Sequence, residues 1–128
     1  MLRKTTAMFS LLAFASLFMM PATAHTDDAV THSFLGAGKA NRAVIVGEDG
    51  KVEWKIDLPA SDGWVLSNGN VLLAVYPTKG YPKGAVIEVE RKNNKIVFEY
   101  KGQQKEISTA LVMDDGNILV AELGPNPR

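Results

Sequence analysis

The 128 residues predict an all-β chain built of antiparallel hairpins, and three observations carry that reading. After the first two dozen residues no ten-residue window has helical period. Runs of β-branched and aromatic residues alternate with polar ones, and turn signals rich in Gly, Asn and Asp separate them at short intervals. The chain also repeats itself: Trp64 to Val75 reads WVLSNGNVLLAV, and Leu111 to Glu122 reads LVMDDGNILVAE.

The first segment stands apart from the fold. Arg3 and Lys4, the apolar run Met8 to Met20 and the small residues of Pro21-Ala22-Thr23-Ala24 predict a secretory signal peptide over 1–24. The run falls short of the roughly 20 apolar residues that span a bilayer. No membrane association is therefore expected after cleavage, and the expected location is periplasmic or secreted. Residues 25–33, HTDDAVTHS, are polar and aperiodic, as a flexible lead-in is.

Charge and cysteine content narrow the classes of function. Cleavage would take two of the 14 basic side chains and none of the 14 acidic ones, which leaves no electrostatic case for nucleic acid or an anionic membrane. The absence of cysteine excludes disulfides and thiolate metal sites. A domain of about 100 residues must then rest on burial and backbone pairing.

Each strand follows from its own pattern. Ala43 to Gly47 is β-branched, Glu48-Asp49-Gly50 turns, and Lys51 to Asp57 alternates so that Val52, Trp54 and Ile56 share a face. Asn68-Gly69, between WVL and NVLLAV, is the pair that favours a type I′ turn. Ala85 to Arg91 and Lys95 to Lys101 flank Lys92-Asn93-Asn94, with Ile96, Phe98 and Tyr100 on one face. A last hairpin joins Ile107 to Met113 and Ile118 to Glu122 through Asp114-Asp115-Gly116-Asn117.

The repeat has a measurable period. Gly50-Lys51-Val52-Glu53-Trp54 aligns with Asn94-Lys95-Ile96-Val97-Phe98 at an offset of 44, and Gly69 aligns with Gly116 at an offset of 47. Gly38-Lys39-Ala40-Asn41-Arg42 returns as Gly124-Pro125-Asn126-Pro127-Arg128 after 86 residues. Four short strands per 40 to 50 residues is the content of one β-propeller blade, as in WD40-like arrays. The region 34–128 holds about two blades' worth of strands, an incomplete propeller.

These residues resemble a known family. Gly50-Lys51-Val52-Glu53-Trp54 followed by Leu66-Ser67-Asn68-Gly69-Asn70-Val71-Leu72 is similar to the repeat of bacterial PQQ-like, or quinoprotein-like, β-propellers. The resemblance covers Phe34 to Arg128 and implies that the strand before the D/N-G-N turn is innermost. It further implies one complete blade over Trp64 to Lys101, the end of a preceding blade over Phe34 to Asp57, and the start of another over Ile107 to Glu122. Trp54 and Phe98 would then be equivalent fillers between blades, and Trp64 would pack in the core or line a central channel. Apolar faces at Leu111, Ile118 and Val120 would lack a partner, as expected of a truncated member or of a subunit that completes a ring by self-association.

Three connections fall at equivalent points of the repeat, Gly36 to Arg42, Tyr76 to Gly84 and Leu123 to Arg128. They hold Lys39, Arg42, Lys79, Tyr81, Lys83 and Arg128, a basic rim with an aromatic that suits a small anionic ligand, a polysaccharide or a protein. Other chemistries lack their parts. Gly36-x-Gly38-Lys39 misses the Walker spacing and its helix, Asp114-Asp115-Gly116-Asn117 misses the EF-hand pattern, and both histidines, His25 and His32, sit in the lead-in. Serines lack a core histidine and a nucleophile elbow. The expected function is a non-enzymatic, exported binding module without cofactor. The alternative that the resemblance implies is a fragment of a PQQ-dependent quinoprotein oxidoreductase with calcium.

Overall fold

A computed structural model describes residues 31–124, and within them the chain is all β, in nine strands. The predicted signal segment 1–24, most of the lead-in, and Arg128 lie outside the described residues. The strands are β1 (Phe34–Gly36), β2 (Ala43–Val46), β3 (Val52–Ile56), β4 (Ala60–Val65), β5 (Val71–Val75), β6 (Ala85–Glu90), β7 (Lys95–Lys101), β8 (Glu106–Val112) and β9 (Ile118–Leu123). Every pairing is antiparallel, in three sheets ordered β1-β2-β3, β4-β5-β6-β7 and β8-β9.

The internal repeat extends to individual residue pairs. In β4–β5, Asp62 faces Ala74, Gly63 faces Leu73, Trp64 faces Leu72 and Val65 faces Val71, with the register slipping beside Ser61. In β8–β9, Thr109 faces Ala121, Ala110 faces Val120, Leu111 faces Leu119 and Val112 faces Ile118, with the slip beside Ser108. Both members of each pair, and the irregularity itself, move by 47 positions. The other half of the repeat behaves alike. Val46 faces Val52 and Ile45 faces Trp54 with Glu53 skipped, while Val89 faces Ile96 and Glu88 faces Phe98 with Val97 skipped. The first sheet is thus the counterpart of β5-β6-β7, and the last is the counterpart of β4-β5.

The turns correct one expectation. Gly69 donates to the Leu66 carbonyl at 2.9 Å and Leu66 to the Asn70 carbonyl at 2.8 Å, and only Gly69 of the pair Asn68-Gly69 has positive φ, at 84°. This is a three-residue loop with a left-handed glycine, where the sequence predicts type I′. Gly47 to Lys51 and Met113 to Asn117 close in the same way. In each loop the residue before the glycine accepts from the amide after it: Asp49 from Lys51 at 3.0 Å, Asn68 from Asn70 at 2.9 Å, Asp115 from Asn117 at 2.9 Å. A short side-chain acceptor therefore selects this loop, because it satisfies an amide that the turn leaves free.

The sheets stack in three layers with the four-stranded one in the middle. Val71, Leu73, Val75, Ala85, Ile87 and Val89 pack on Ala43, Ile45 and Trp54 of the first sheet. Leu72, Ala74 and Val86, on the opposite face, pack on Ile107 and Ala110 of the last. All five residues of β5 are buried, so a strand covered on both faces reads as the continuous apolar run VLLAV. Ile118 and Val120 also pack on this second core, contrary to expectation, and it is Leu119 that stands 59 % exposed.

Trp54 and Phe98 occupy equivalent positions with different surroundings. Trp54 is 6 % exposed, and its Nε1 donates at 2.7 Å to Asn94 Oδ1 on the turn of the adjacent sheet. Asn94 takes the left-handed place that glycine holds in the other loops, at φ 57°, and its amide also donates to the Lys55 carbonyl at 3.1 Å. Phe98 is 39 % exposed, so it does not fill an intersheet space in this structure. Among the described residues the sheet beyond it comprises only β8 and β9, without a counterpart of the turn that carries Asn94.

Candidate functional site

Two of the three connections that hold the predicted rim, 36–42 and 76–84, lie within the described residues at one end of the sheets, and each is tied to a neighbouring segment through the backbone; all but the start of the third, 123–128, lies outside them. Ala60 donates to the Gly38 carbonyl at 3.1 Å, Tyr76 to Pro59 at 2.9 Å, and Gly102 to Gly84 at 2.9 Å. Their side chains, however, form separate groups. The Lys39 ammonium sits 5.1 Å from the centre of the Tyr76 ring, in a cleft of about 300 Å³ shared with Asn41, Pro59, Pro77 and Glu106. Arg42 turns away to pair with Asp57 at 3.5 Å and lines a groove beside Trp54, Arg91 and Asn94.

Lys79 and Gly80 form the exposed tip between Thr78 and Tyr81, which exchange backbone bonds at 2.9 Å each. The Tyr81 hydroxyl donates to Glu99 at 2.8 Å, and burial, aided by that carboxylate, pushes the phenol up to about 12. Lys83 donates to the Gln103 carbonyl at 2.8 Å. The rim is therefore of mixed charge, with Asp57, Glu99, Glu106 and Glu122 among its cations.

Glu122 organises this end and was not among the residues singled out from the sequence. Its carboxylate accepts from the Tyr100 hydroxyl at 2.5 Å and from the amides of Gln103 and Gln104 at 2.9 and 2.6 Å. The Tyr100 bond foremost, then the two amides and the nearby Lys83 charge, hold the carboxyl below the usual glutamate range. The signal was present: Glu122 stands where the repeat has Val75, one acid in an otherwise apolar strand. A depressed carboxyl contributes stability above its unfolded pKa, and that contribution is lost as pH falls through the folded value. Urea melts of the wild type and Glu122→Gln should differ fully at neutral pH and converge as pH falls below the ordinary glutamate value of 4.5 and through the lowered folded one.

The opposite end carries a better-formed cleft. Trp64, Leu66, Asn68, Glu88, Leu111 and Ile118 border a space of about 430 Å³ between the 66–70 and 113–117 turns. Glu88 Oε1 is held by Asn70 Nδ2 at 2.6 Å and Asn68 Nδ2 at 3.1 Å, so both hairpin asparagines aim one carboxylate at the cleft. Trp64 is 45 % exposed, and its Nε1 donates to the Ala110 carbonyl at 2.8 Å. Its ring is thus fixed in orientation while offering a face to solvent, a different role from core packing.

Further bonds join β4 to β8 beside this ring. Ser61 Oγ reaches the Ile107 carbonyl at 3.2 Å, and the Thr109 hydroxyl meets the Asp62 carboxylate, both residues at equivalent points of the repeat. Trp64, Asn68, Gly69 and Gly116 stand out in the sequence, the last three as turn residues alone. Glu88 sits within an alternating strand, and its part in the cleft follows only from the stacking of sheets. Among the described residues no three His, Cys, Asp or Glu side chains converge as metal ligands would. No protein-family model, no curated protein and no solved structure matches the chain.

Proposed function

We propose that this chain is an exported, non-enzymatic binding module, an arc of a quinoprotein-like β-propeller that takes saccharide chains in the Trp64 cleft. The propeller reading draws support from the pair-by-pair repetition across three stacked sheets and from the short motifs that recur in the same order. Both junctions between sheets use equivalent residues of the repeat, Ala43 and Val86 on one side, Ala60 and Ile107, Leu73 and Val120 on the other, as in radially repeated architectures.

The observation that carries the binding reading is the half-exposed indole held by the Ala110 carbonyl above a carboxylate that two asparagines orient. An aromatic face covers the C–H side of a sugar ring, while the carboxylate and amides meet its hydroxyls. The rim cations support an anionic ligand less well, since Arg42 and Lys83 are already engaged.

Trp54 and Trp64 are the only tryptophans, so Trp54→Phe leaves the cleft residue as a lone fluorophore. Titration of that variant with soluble xylan, galactomannan and β-glucan should give a saturable change with at least one of them. Trp64→Ala should weaken binding of the same polysaccharide, read by calorimetry, by about tenfold or more. Absence of saturable binding to any of the three, or binding indifferent to Trp64, overturns the reading. A quinone absorbance change and dye-linked sugar oxidation on adding PQQ and calcium would favour the oxidoreductase instead.

A further inference from the structure

Two sheets of this chain are incomplete in complementary ways. Within the repeat, β8 and β9 correspond to β4 and β5, whereas β1, β2 and β3 correspond to β5, β6 and β7. The last sheet thus has the first two places filled, and the first sheet has the last three. Only one place is claimed twice, by β9 and by β1. The six-residue β9 copies β5 closely, Ile118-Leu119-Val120-Ala121 against Val71-Leu72-Leu73-Ala74, while β1 is the three residues Phe34–Gly36.

We infer that a second copy of this chain completes the last sheet: its β2, carrying β3 on the far side, pairs with β9 of the first copy and displaces β1. The occupant follows from the repeat's own pairing rule. Val71 faces Val89, Leu72 faces Glu88, Leu73 faces Ile87 and Ala74 faces Val86, and carrying these pairs to their equivalents sets Ile118 against Val46, Leu119 against Ile45, Val120 against Val44 and Ala121 against Ala43. The next pair, Val75 with Ala85, becomes Glu122 with Arg42. An acid in β9 and a base at the residue just before β2 thereby face one another across the interface.

Exposed apolar residues are accounted for by the same step. Leu119, 59 % exposed, takes the place that Leu72 has inside the molecule, and Phe34, 58 % exposed on β1, leaves the sheet. The Gly47–Lys51 turn of the second copy falls over Phe98 as the turn carrying Asn94 lies over Trp54. Of nine strands eight then remain in use, two four-stranded sheets per copy. The contact is head-to-tail, and such contacts close into rings when the rotation permits. Two, three or four copies would give four, six or eight sheets, the range in which propellers close. The inference rests on the propeller reading for closure, although not on the saccharide cleft.

The chain contains no cysteine, so an introduced pair reports without background. In one molecule β2 and β9 lie on opposite sides of the middle sheet, two sheet spacings of about 10 Å apart. That exceeds the roughly 7 Å Cα separation a disulfide tolerates, so Val44→Cys with Val120→Cys can cross-link only between copies. Mild oxidation should yield covalent oligomers on a non-reducing gel, and Val44→Cys with Lys105→Cys should not. The unmodified protein should show two to four times the monomer mass by size exclusion with light scattering. A cooperatively melting monomer overturns the inference while leaving the propeller arc and the cleft standing. Oligomers in which the Val44/Val120 pair fails to cross-link overturn it too, since another surface would then be in use.

Discussion

Trp54→Ala should lower unfolding free energy by about 3 to 5 kcal/mol in urea or thermal melts, the usual cost of removing a buried aromatic ring. The ring is 6 % exposed and lies within the core shared by the first and middle sheets. Its loss also strands Asn94 Oδ1, which accepts the indole proton at 2.7 Å. Asn94→Gly separates the two contributions. Glycine suits φ 57° as well as asparagine does, so this change retains the turn and removes the bonds to Trp54 and Lys55. It should cost about 1 kcal/mol, far less than loss of the ring. If the two variants cost the same, the hydrogen bond rather than the packing would dominate at this junction.

Gly84→Ala is the second large effect. Gly84 has φ 79°, which an L-residue adopts at a cost of about 1 kcal/mol, and the added methyl would stand 2.6 Å from the Val75 carbonyl oxygen and 3.0 Å from the Ile107 amide nitrogen. Both are backbone atoms of strands that form the core, so neither can turn aside. A loss of about 3 kcal/mol or more is expected. Four residues earlier, Gly80 has open space around its Cα and no positive φ, and Gly80→Ala should stay within about 0.5 kcal/mol. Equal destabilisation by the two alanines would show that the loop, not the strand junction, sets the requirement.

The strands were legible in the sequence because alternation, β-branching and Asp/Asn-Gly pairs act over a few residues. The repeat offsets of 44 and 47 proved to be register offsets as well, since a one-residue slip would turn Leu73 and Leu72 to the wrong layers. What resisted reading was anything decided between sheets. Trp54 and Phe98 are identical by local pattern, and only the presence of the Asn94 turn over one of them makes one buried. Loops 36–42 and 76–84 of the expected rim are legible as connections, but whether Lys39 meets Tyr76 or Arg42 meets Asp57 depends on loop paths that composition does not fix. The Trp64 cleft needed two hairpins 47 residues apart to be set side by side before Glu88 could be seen as part of it.

The middle sheet has apolar residues on both faces, and β5 within it is buried at every position. Amide exchange should therefore be ordered along the stack rather than along the chain. In the single chain the edge strands β1 and β9 open first, each giving up one layer, and the β5 and β6 amides exchange only when the whole molecule unfolds. Release of β1 is then a low-energy opening available to the folded protein.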